Sequence, residues 1–240
     1  MRWLPAGLGA VATALVLCGC QSTQERSAEL SRQAKHDVLA TQGVSVRKQS
    51  PNVEVLQSTV VHSGAGTAVV VALRNTSPHA LENPPIEITV HDTHGGVLFQ
   101  NNQAGLEPSL TRVSLLEPGA ETTWVDDQVQ AAGAPASASA LVGEGEQVTG
   151  AIPQLSVTGT HLSSEAGAEA TLSGTAVNHS QVAQQNLIVY AVARKGPKIA
   201  AAGRAVIPEV GAGASVPFQI YFVGDPSGAQ ISTSAPPTTF

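Results

Sequence analysis

His91, Asp92 and His94 form a short His-Asp-Thr-His stretch whose side chains are of the types that bind zinc. A catalytic zinc site normally takes three protein ligands in a fixed geometry. Residues three apart in a strand point to opposite faces, so only a turn could bring both imidazoles together. The sequence favours a solvated hairpin turn capped by Asp92, and we expect no metal site.

Adjacent carboxylates occur at Asp126 and Asp127, after Trp124. General acid–base catalysis requires such groups to converge on one substrate, whereas neighbours in a regular strand point to opposite faces. We therefore interpret the pair as a charged strand end. Glu144 and Glu146 lie in a Gly-rich segment, which we interpret as a linker with solubilising charges.

Two asparagines begin similar tripeptides, Asn75-Thr76-Ser77 and Asn178-His179-Ser180, and both tripeptides match the glycosylation sequon. A turn at the same place in both units is the simpler explanation, because asparagine tolerates left-handed backbone angles and Ser or Thr can bond the turn backbone. We favour the turn interpretation.

Familiar catalytic signatures are absent from the sequence: there is no Gly-x-Ser-x-Gly elbow, phosphate loop, His-Glu-x-x-His or dinucleotide fingerprint. Serine and histidine are both plentiful, so a Ser–His pair formed only by folding stays open. We expect no enzyme, no catalytic residue and no cofactor.

The N-terminus carries the features of a secretory signal peptide. Arg2 precedes an apolar stretch from Leu4 to Leu17, which is shorter than the roughly 20 residues that span a bilayer. Small residues follow at a cleavage point, as in secreted proteins. The signal is therefore predicted to occupy residues 1–19; an ordinary signal cut elsewhere is the alternative.

Leu17-Cys18-Gly19-Cys20 resembles the lipobox of bacterial lipoproteins, although Cys18 is unusual at its position. The resemblance implies cleavage between Gly19 and Cys20, and acylation of the Cys20 sulfur. Two or three acyl chains would hold the protein on the extracytoplasmic face of a bacterial membrane, with the outer membrane as an alternative in a diderm cell. Because Cys18 leaves with the signal, the mature chain would contain no free thiol, disulfide or cysteine-ligated metal.

The charge balance excludes one class of partner. The 240 residues contain 12 Lys and Arg against 18 Asp and Glu, a net charge of −6, which gives no electrostatic footprint for nucleic acid. Residues 20–50, which begin with the lipidated cysteine, are predicted to form a polar stalk with nascent helicity. The alternative is that Arg26, Arg32 and Lys35 contact anionic head groups.

Beyond the stalk the sequence repeats. Residues 51–55 are echoed by 153–157, and the two Asn tripeptides follow in the same order. An alternating third strand then carries Ile86, Ile88 and Val90 in the first unit, and we match these to Ile188, Tyr190 and Val192 in the second. Trp124 and Phe218 fall in equivalent late strands and are the expected core aromatics.

Short strands with turn signals every ten or so residues predict an all-β fold. We expect two tandem antiparallel β-sandwiches, residues 51–148 and 149–240, after an N-terminal signal helix and the polar stalk; that they are immunoglobulin-like is implied by the resemblance described next. The stretch from Ala131 to Ala140 is interpreted as a flexible segment or a loose edge strand. Residues 233–240, with two prolines, are interpreted as a frayed end.

Both units resemble the FxLYD-type domain, a small immunoglobulin-like sandwich of extracytoplasmic bacterial proteins. Its signature falls on Ile88-Thr89-Val90-His91-Asp92 in the first unit and on Tyr190-Ala191-Val192-Ala193-Arg194 in the second, where the acid is lost. The resemblance implies a sandwich without catalytic residues or cofactor.

These observations together predict a non-enzymatic lipoprotein that binds or scaffolds another component of the cell envelope, a protein or a glycan. Contact through loops at one end of a sandwich, or through an exposed sheet edge, is expected. The alternative is an accessory lipoprotein that binds or senses a solute beside a transporter, which would require a pocket.

Overall fold

The computed structural model describes residues 43–164 and 169–240. All of the regular structure in these residues is β-strand apart from a 3₁₀ turn at Pro108–Leu110, and the strand pairs are antiparallel. The all-β prediction is confirmed. Within the same residues, no helix is long and apolar enough to cross a membrane. The predicted signal, the lipidation site Cys20 and the stalk up to residue 42 lie outside the described residues.

The first sandwich contains nine strands. Sheet I has the order β1-β2-β7, sheet II has the order β5-β4-β8, and a small sheet has the order β6-β3-β9. The strands are β1 Val53–Ser63, β2 Gly66–Asn75, β3 Leu81–Glu82, β4 Ile86–His91, β5 Val97–Gln100, β6 Leu115–Leu116, β7 Glu121–Asp126, β8 Ser137–Val142 and β9 Glu146–Gln147.

The second sandwich contains seven strands. Sheet III has the order β10-β11-β14, and sheet IV has the order β15-β13-β12-β16. The strands are β10 Leu155–Ser163, β11 Thr171–Asn178, β12 Gln184–Lys195, β13 Lys198–Val210, β14 Ser215–Tyr221, β15 Val223–Gly224 and β16 Gln230–Ser234. Sheet III repeats the strand order of sheet I, and β13-β12-β16 repeats that of sheet II.

The late-strand aromatics occupy equivalent register positions in the two sandwiches. Trp124 lies opposite Val71 in the β2–β7 pair, and Phe218 lies opposite Gly174 in the β11–β14 pair. Both aromatics are buried, as predicted. Gly174 leaves room for the Phe218 ring, since a Cβ there would lie 2.7 Å from Cζ of the ring.

The third strand of the second sandwich differs from the sequence-based match by one residue. Leu187, Val189, Ala191 and Ala193 of β12 form part of the core between sheets III and IV. Ile188, Tyr190 and Val192 point to the other face and pack with the hydrophobic residues of the first sandwich. The prediction that these three match Ile86, Ile88 and Val90 is therefore wrong, because a shift of one residue exchanges the two faces of a strand.

The two sandwiches pack sheet against sheet. Strand β13 contacts β1, β2 and β7, and β15 contacts β1 and β2, so sheet IV lies on sheet I. Val70 and its cross-strand partner Val125 are fully buried and point away from Trp124, on the face of sheet I turned to sheet IV. The described residues belong to one compact unit, Val38–Phe240, with an apolar interface inside it.

Three segments differ from the sequence-based predictions. Residues 43–50, assigned to the stalk, lie on the first sandwich, where Val44 and Val46 are buried. Glu146, assigned to a linker, lies in β9. The stretch from Ala131 to Ala140, by contrast, ends inside the edge strand β8, which agrees with the second of its two interpretations. The predicted frayed end is held by fully buried Gln184, whose Oε1 accepts hydrogen bonds from the N–H groups of Thr238 and Thr239.

Candidate binding cleft between the two sandwiches

The His-Asp-Thr-His stretch forms a hairpin turn between β4 and β5. Asp92 Oδ1 accepts hydrogen bonds from the N–H groups of His94 (2.7 Å) and Gly96 (2.8 Å), so the aspartate caps the turn. The His91 ring lies 3.3 Å from Gly95 O, and the His94 ring 3.3 Å from Thr93 Oγ1. Across residues 43–164 and 169–240, no group of three or more His, Cys, Asp or Glu side chains is arranged to hold a metal ion.

The paired asparagines anchor the same turn in each sandwich through buried side-chain amides. Asn75 Nδ2 donates to His79 O (2.7 Å) and Leu116 O (2.9 Å), and its Oδ1 accepts from the N–H and hydroxyl of Ser77. Asn178 repeats the arrangement with Val182, Val210, Gly211 and Ser180. Because both amides are buried and engaged, neither is available for glycosylation.

Both asparagine tripeptides form turns, as predicted, but the left-handed backbone angles expected for their asparagines occur at other residues. The non-glycine residues with left-handed angles in the described chain are Asn83 (φ 53°) and Asn186 (φ 49°), not Asn75 and Asn178. Asn75 and Asn178 act through their side chains instead.

Asp126 is the last residue of β7 and Asp127 follows it, so the two carboxylates lie at a strand end, as predicted. The sequence did not indicate that this strand end lies at the junction of the two sandwiches, with Asp126 buried. Asp127 accepts two hydrogen bonds from Arg204 of β13. The backbone N–H of Arg204 donates to Oδ2 at 2.9 Å, and its side-chain Nε donates to Oδ1 at 3.1 Å. Arg204 Nη1 also donates to Ser109 Oγ at 2.7 Å. The Arg204 side chain is only 2 % exposed, and that of Asp127 is 16 % exposed.

Asp126 is buried beside this ion pair and accepts a hydrogen bond from the Gln128 N–H at 2.9 Å. Burial raises the pKa of Asp126 to about 6, although the Gln128 N–H and the Arg204 charge oppose the increase. A carboxyl with such a pKa is suited to proton transfer. At 1 % exposure, however, this one is closed to a substrate, so the arrangement joins the two sandwiches.

Tyr190 connects the junction with an open cleft. It is the cross-strand partner of Arg204, and its ring is 2 % exposed. Its hydroxyl is buried and has no hydrogen-bond partner among the described residues, and burial raises the pKa of the phenol. The same residue forms part of the floor of a cleft of about 490 Å³.

The cleft lies where edges of both sandwiches meet. Its lining comes mainly from β7, β10 and β16 and from the segments next to them. Within residues 43–164 and 169–240, each of these strands stands at the end of its sheet and pairs with one neighbouring strand. Hydroxyl groups line much of the surface, from Thr122, Thr123, Ser156, Ser232, Thr233 and Ser234.

A Ser–His contact left open by the sequence occurs on one wall of the cleft. Ser156 Oγ lies 2.8 Å from His179 Nε2. In the described residues, no acidic group hydrogen-bonds to the other ring nitrogen of His179, and the ring is exposed. A serine nucleophile needs a base that is itself held in orientation, together with oxyanion donors. The pair therefore supplies polar groups to the wall of the cleft.

Neither the cleft nor a functional role for Arg204 and Tyr190 was predicted from the sequence. Arg204 is the one charged residue within the apolar stretch Ile199–Ile207, and a single charge in such a stretch indicates that the charge is buried. In comparisons with known proteins, neither the models of protein families nor the curated proteins give a match to this chain.

Proposed function

We propose that this chain is a lipid-anchored, non-enzymatic binding or scaffolding protein of the bacterial cell envelope. In this proposal Cys20 is acylated after cleavage at Gly19, and two FxLYD-type immunoglobulin-like sandwiches stand on the extracytoplasmic face of the membrane. The partner is a protein or a glycan of the envelope, not a nucleic acid.

Anchoring is supported by the Leu17–Cys20 stretch at the end of a short apolar segment. The binding role rests on one observation, the cleft of about 490 Å³ bounded by three strands whose outer edges pair with no other described strand. Unpaired edges and the clefts between domains are common binding surfaces. The buried Arg204–Asp127 pair and the apolar interface support a fixed cleft rather than two loosely joined sandwiches.

The anchoring proposal is tested by metabolic labelling with a palmitate analogue in a bacterium that processes lipoproteins. The wild-type chain and Cys18→Ser should both be labelled, because Cys18 belongs to the removed signal. Cys20→Ser should carry no label. Equal labelling of Cys20→Ser would contradict the proposal.

The binding role is tested by affinity capture from envelope extracts with the mature chain purified in detergent. Capture of a protein or glycan that is lost when the cleft is blocked by Ser234→Trp would support the role. Recovery of the same material by unrelated proteins of similar charge, and nothing more, would count against it.

The second candidate is an accessory lipoprotein that binds or senses a solute beside a transporter. The observation that favours it is the cleft volume, which falls within the roughly 300–1,000 Å³ of small-molecule sites. A solute that raises the melting temperature of the wild-type chain, but not that of Ser234→Trp, would support this candidate.

A further inference from the structure

We infer that the cleft accepts an extended polypeptide segment of a partner protein, which adds as a further strand to the free edge of β16 and places a lysine or arginine near Glu117. The inference rests on the proposed function, because it specifies the site and the kind of partner that an envelope binding module would use.

The first sandwich shows what covers the corresponding edge there. Backbone that precedes β1 lies against the end of β8, where the Ser50 N–H donates to Val142 O at 2.7 Å. The Val142 N–H in turn donates to Gln49 Oε1 at 2.9 Å. A segment of polypeptide therefore occupies this edge.

The corresponding edge in the second sandwich lacks that cover. Asn75 and Asn178 occupy the same position in the two sandwiches. Ile86 and Val189 follow them at the same distance along the chain and are therefore counterparts. Ile86 pairs with Val142 in the first sandwich; extending the Tyr190–Ser234 pairing by one residue makes Ala235 the counterpart of Val142. No backbone hydrogen bond joins residues 151–154 to Ala235 in the part of the chain that the structure describes. The cleft lies between them, lined by Gln154 and Ala235.

The geometry of β16 suits strand addition. It is the last strand of sheet IV, so alternate backbone N–H and C=O groups on its outer edge pair with no strand of the described chain. Ser232 and Ser234 are exposed, and they share a face with Val192 and Tyr190. A peptide that pairs with this edge would gain main-chain hydrogen bonds from β16 and side-chain contacts from the floor of the cleft.

The acidic residues of the cleft indicate that the bound peptide carries a basic side chain. Of the charged residues that the structure describes, Glu117 and Glu121 line the cleft and no lysine or arginine does. Glu121 is already paired with Arg74, whereas Glu117 is exposed and makes no ion pair within the described residues. A basic side chain on the incoming segment would find its partner in Glu117.

The test is a selection of random 12-residue peptides, displayed on phage, against the full chain in detergent. Selected peptides are synthesised and titrated against the wild-type chain, Ser234→Trp and Leu141→Trp. Leu141 corresponds to Ser234 on the equivalent strand β8, is 44 % exposed and lies outside the cleft, so it controls for an added indole. We expect binding to weaken about tenfold or more with Ser234→Trp and to stay within about twofold with Leu141→Trp.

Two further measurements separate strand addition from other modes of binding. The bound peptide should slow amide hydrogen exchange at the alternate residues of Gln230–Ser234 whose N–H groups point to the outer edge of β16, since these groups gain partners. Selected peptides should be rich in Lys and Arg, and Glu117→Gln should weaken them about threefold or more, with a similar loss when salt is raised. Glu209→Gln, at an exposed position outside the cleft, should leave binding unchanged.

The inference is overturned if no peptide is selected, if selected peptides bind Ser234→Trp as well as wild type, or if β16 amides gain no protection. It is also overturned if a glycan, or a second copy of the chain, is the only occupant whose binding Ser234→Trp abolishes. None of these results bears on the palmitate labelling of Cys20, so the two proposals can fail separately.

Discussion

Arg204 of the second sandwich and Asp127 of the first form a buried ion pair, with 3.1 Å between Nε and Oδ1. Removal of one partner from such a pair leaves an uncompensated charge, which typically costs about 3–5 kcal/mol. We therefore expect Arg204→Met to lower the free energy of unfolding by about that amount in urea titrations.

Lys195 and Asp225 provide the matched control for the ion pair. Their atoms also lie close, at 3.2 Å, but the side chains are 46 % and 70 % exposed. Solvent screens such a pair, so Lys195→Met should change stability by less than about 1 kcal/mol. Equal effects of the two substitutions would contradict a special role for Arg204.

Asp126 should make the stability of the chain depend on pH. Its pKa of about 6 in the folded chain lies above the value of 3.8 for the free group, so the folded state binds this proton more readily than the unfolded state. The charged form of Asp126 therefore lowers the free energy of unfolding. This loss is complete above pH 6, where the carboxyl is ionised in both states, and it disappears as the pH falls below 4. Asp126→Asn should therefore raise the free energy of unfolding by up to about 3 kcal/mol at pH 7, and by little at pH 4. A difference that does not vary with pH would argue against this assignment.

The two buried asparagines, Asn75 and Asn178, should contribute similar amounts to the free energy of unfolding. Asn75→Ala and Asn178→Ala each leave buried carbonyl groups and a serine N–H without partners. We expect each to cost about 1–3 kcal/mol, measured by thermal denaturation. Thr76→Ala, at the exposed position next to Asn75, should stay within about 0.5 kcal/mol. A mild effect in only one sandwich would show that the duplicated turns differ in solution.

Tyr190→Phe should stabilise the free chain, because it removes a buried hydroxyl that has no hydrogen-bond partner in the residues that the structure describes. The expected gain in the free energy of unfolding is about 1 kcal/mol, and Tyr221→Phe, at a residue 55 % exposed, should have no such effect. A loss of stability in Tyr190→Phe would mean that the hydroxyl is engaged in solution.

Local patterns in the sequence predict much of this fold. Alternation identified β4 correctly, and the duplication placed Trp124 and Phe218 in equivalent strands. The assignment failed at β12, where the run Leu187–Ala193 is apolar on both faces. A strand buried on both sides has no single period-two face, so its register could not be chosen from alternation.

The candidate site depends on contacts that local patterns do not contain. Asp127 and Arg204 lie 77 residues apart, and neither position indicates the other. The cleft arises from the placement of β7 of one sandwich beside β10 and β16 of the other, which is decided by packing of the sheets. Only Arg204, which stands alone among apolar residues in β13, gave a local signal that a charge is buried between the two sandwiches.

The measurement that tests the proposed function most directly is the mass of the N-terminal tryptic peptide from the membrane-bound chain. We predict a peptide that begins at Cys20, ends at Arg26 and carries a diacylglyceryl group on the cysteine sulfur. A mature chain that begins at another residue, or one in which Cys20 is present with a free thiol, would contradict the lipid anchor.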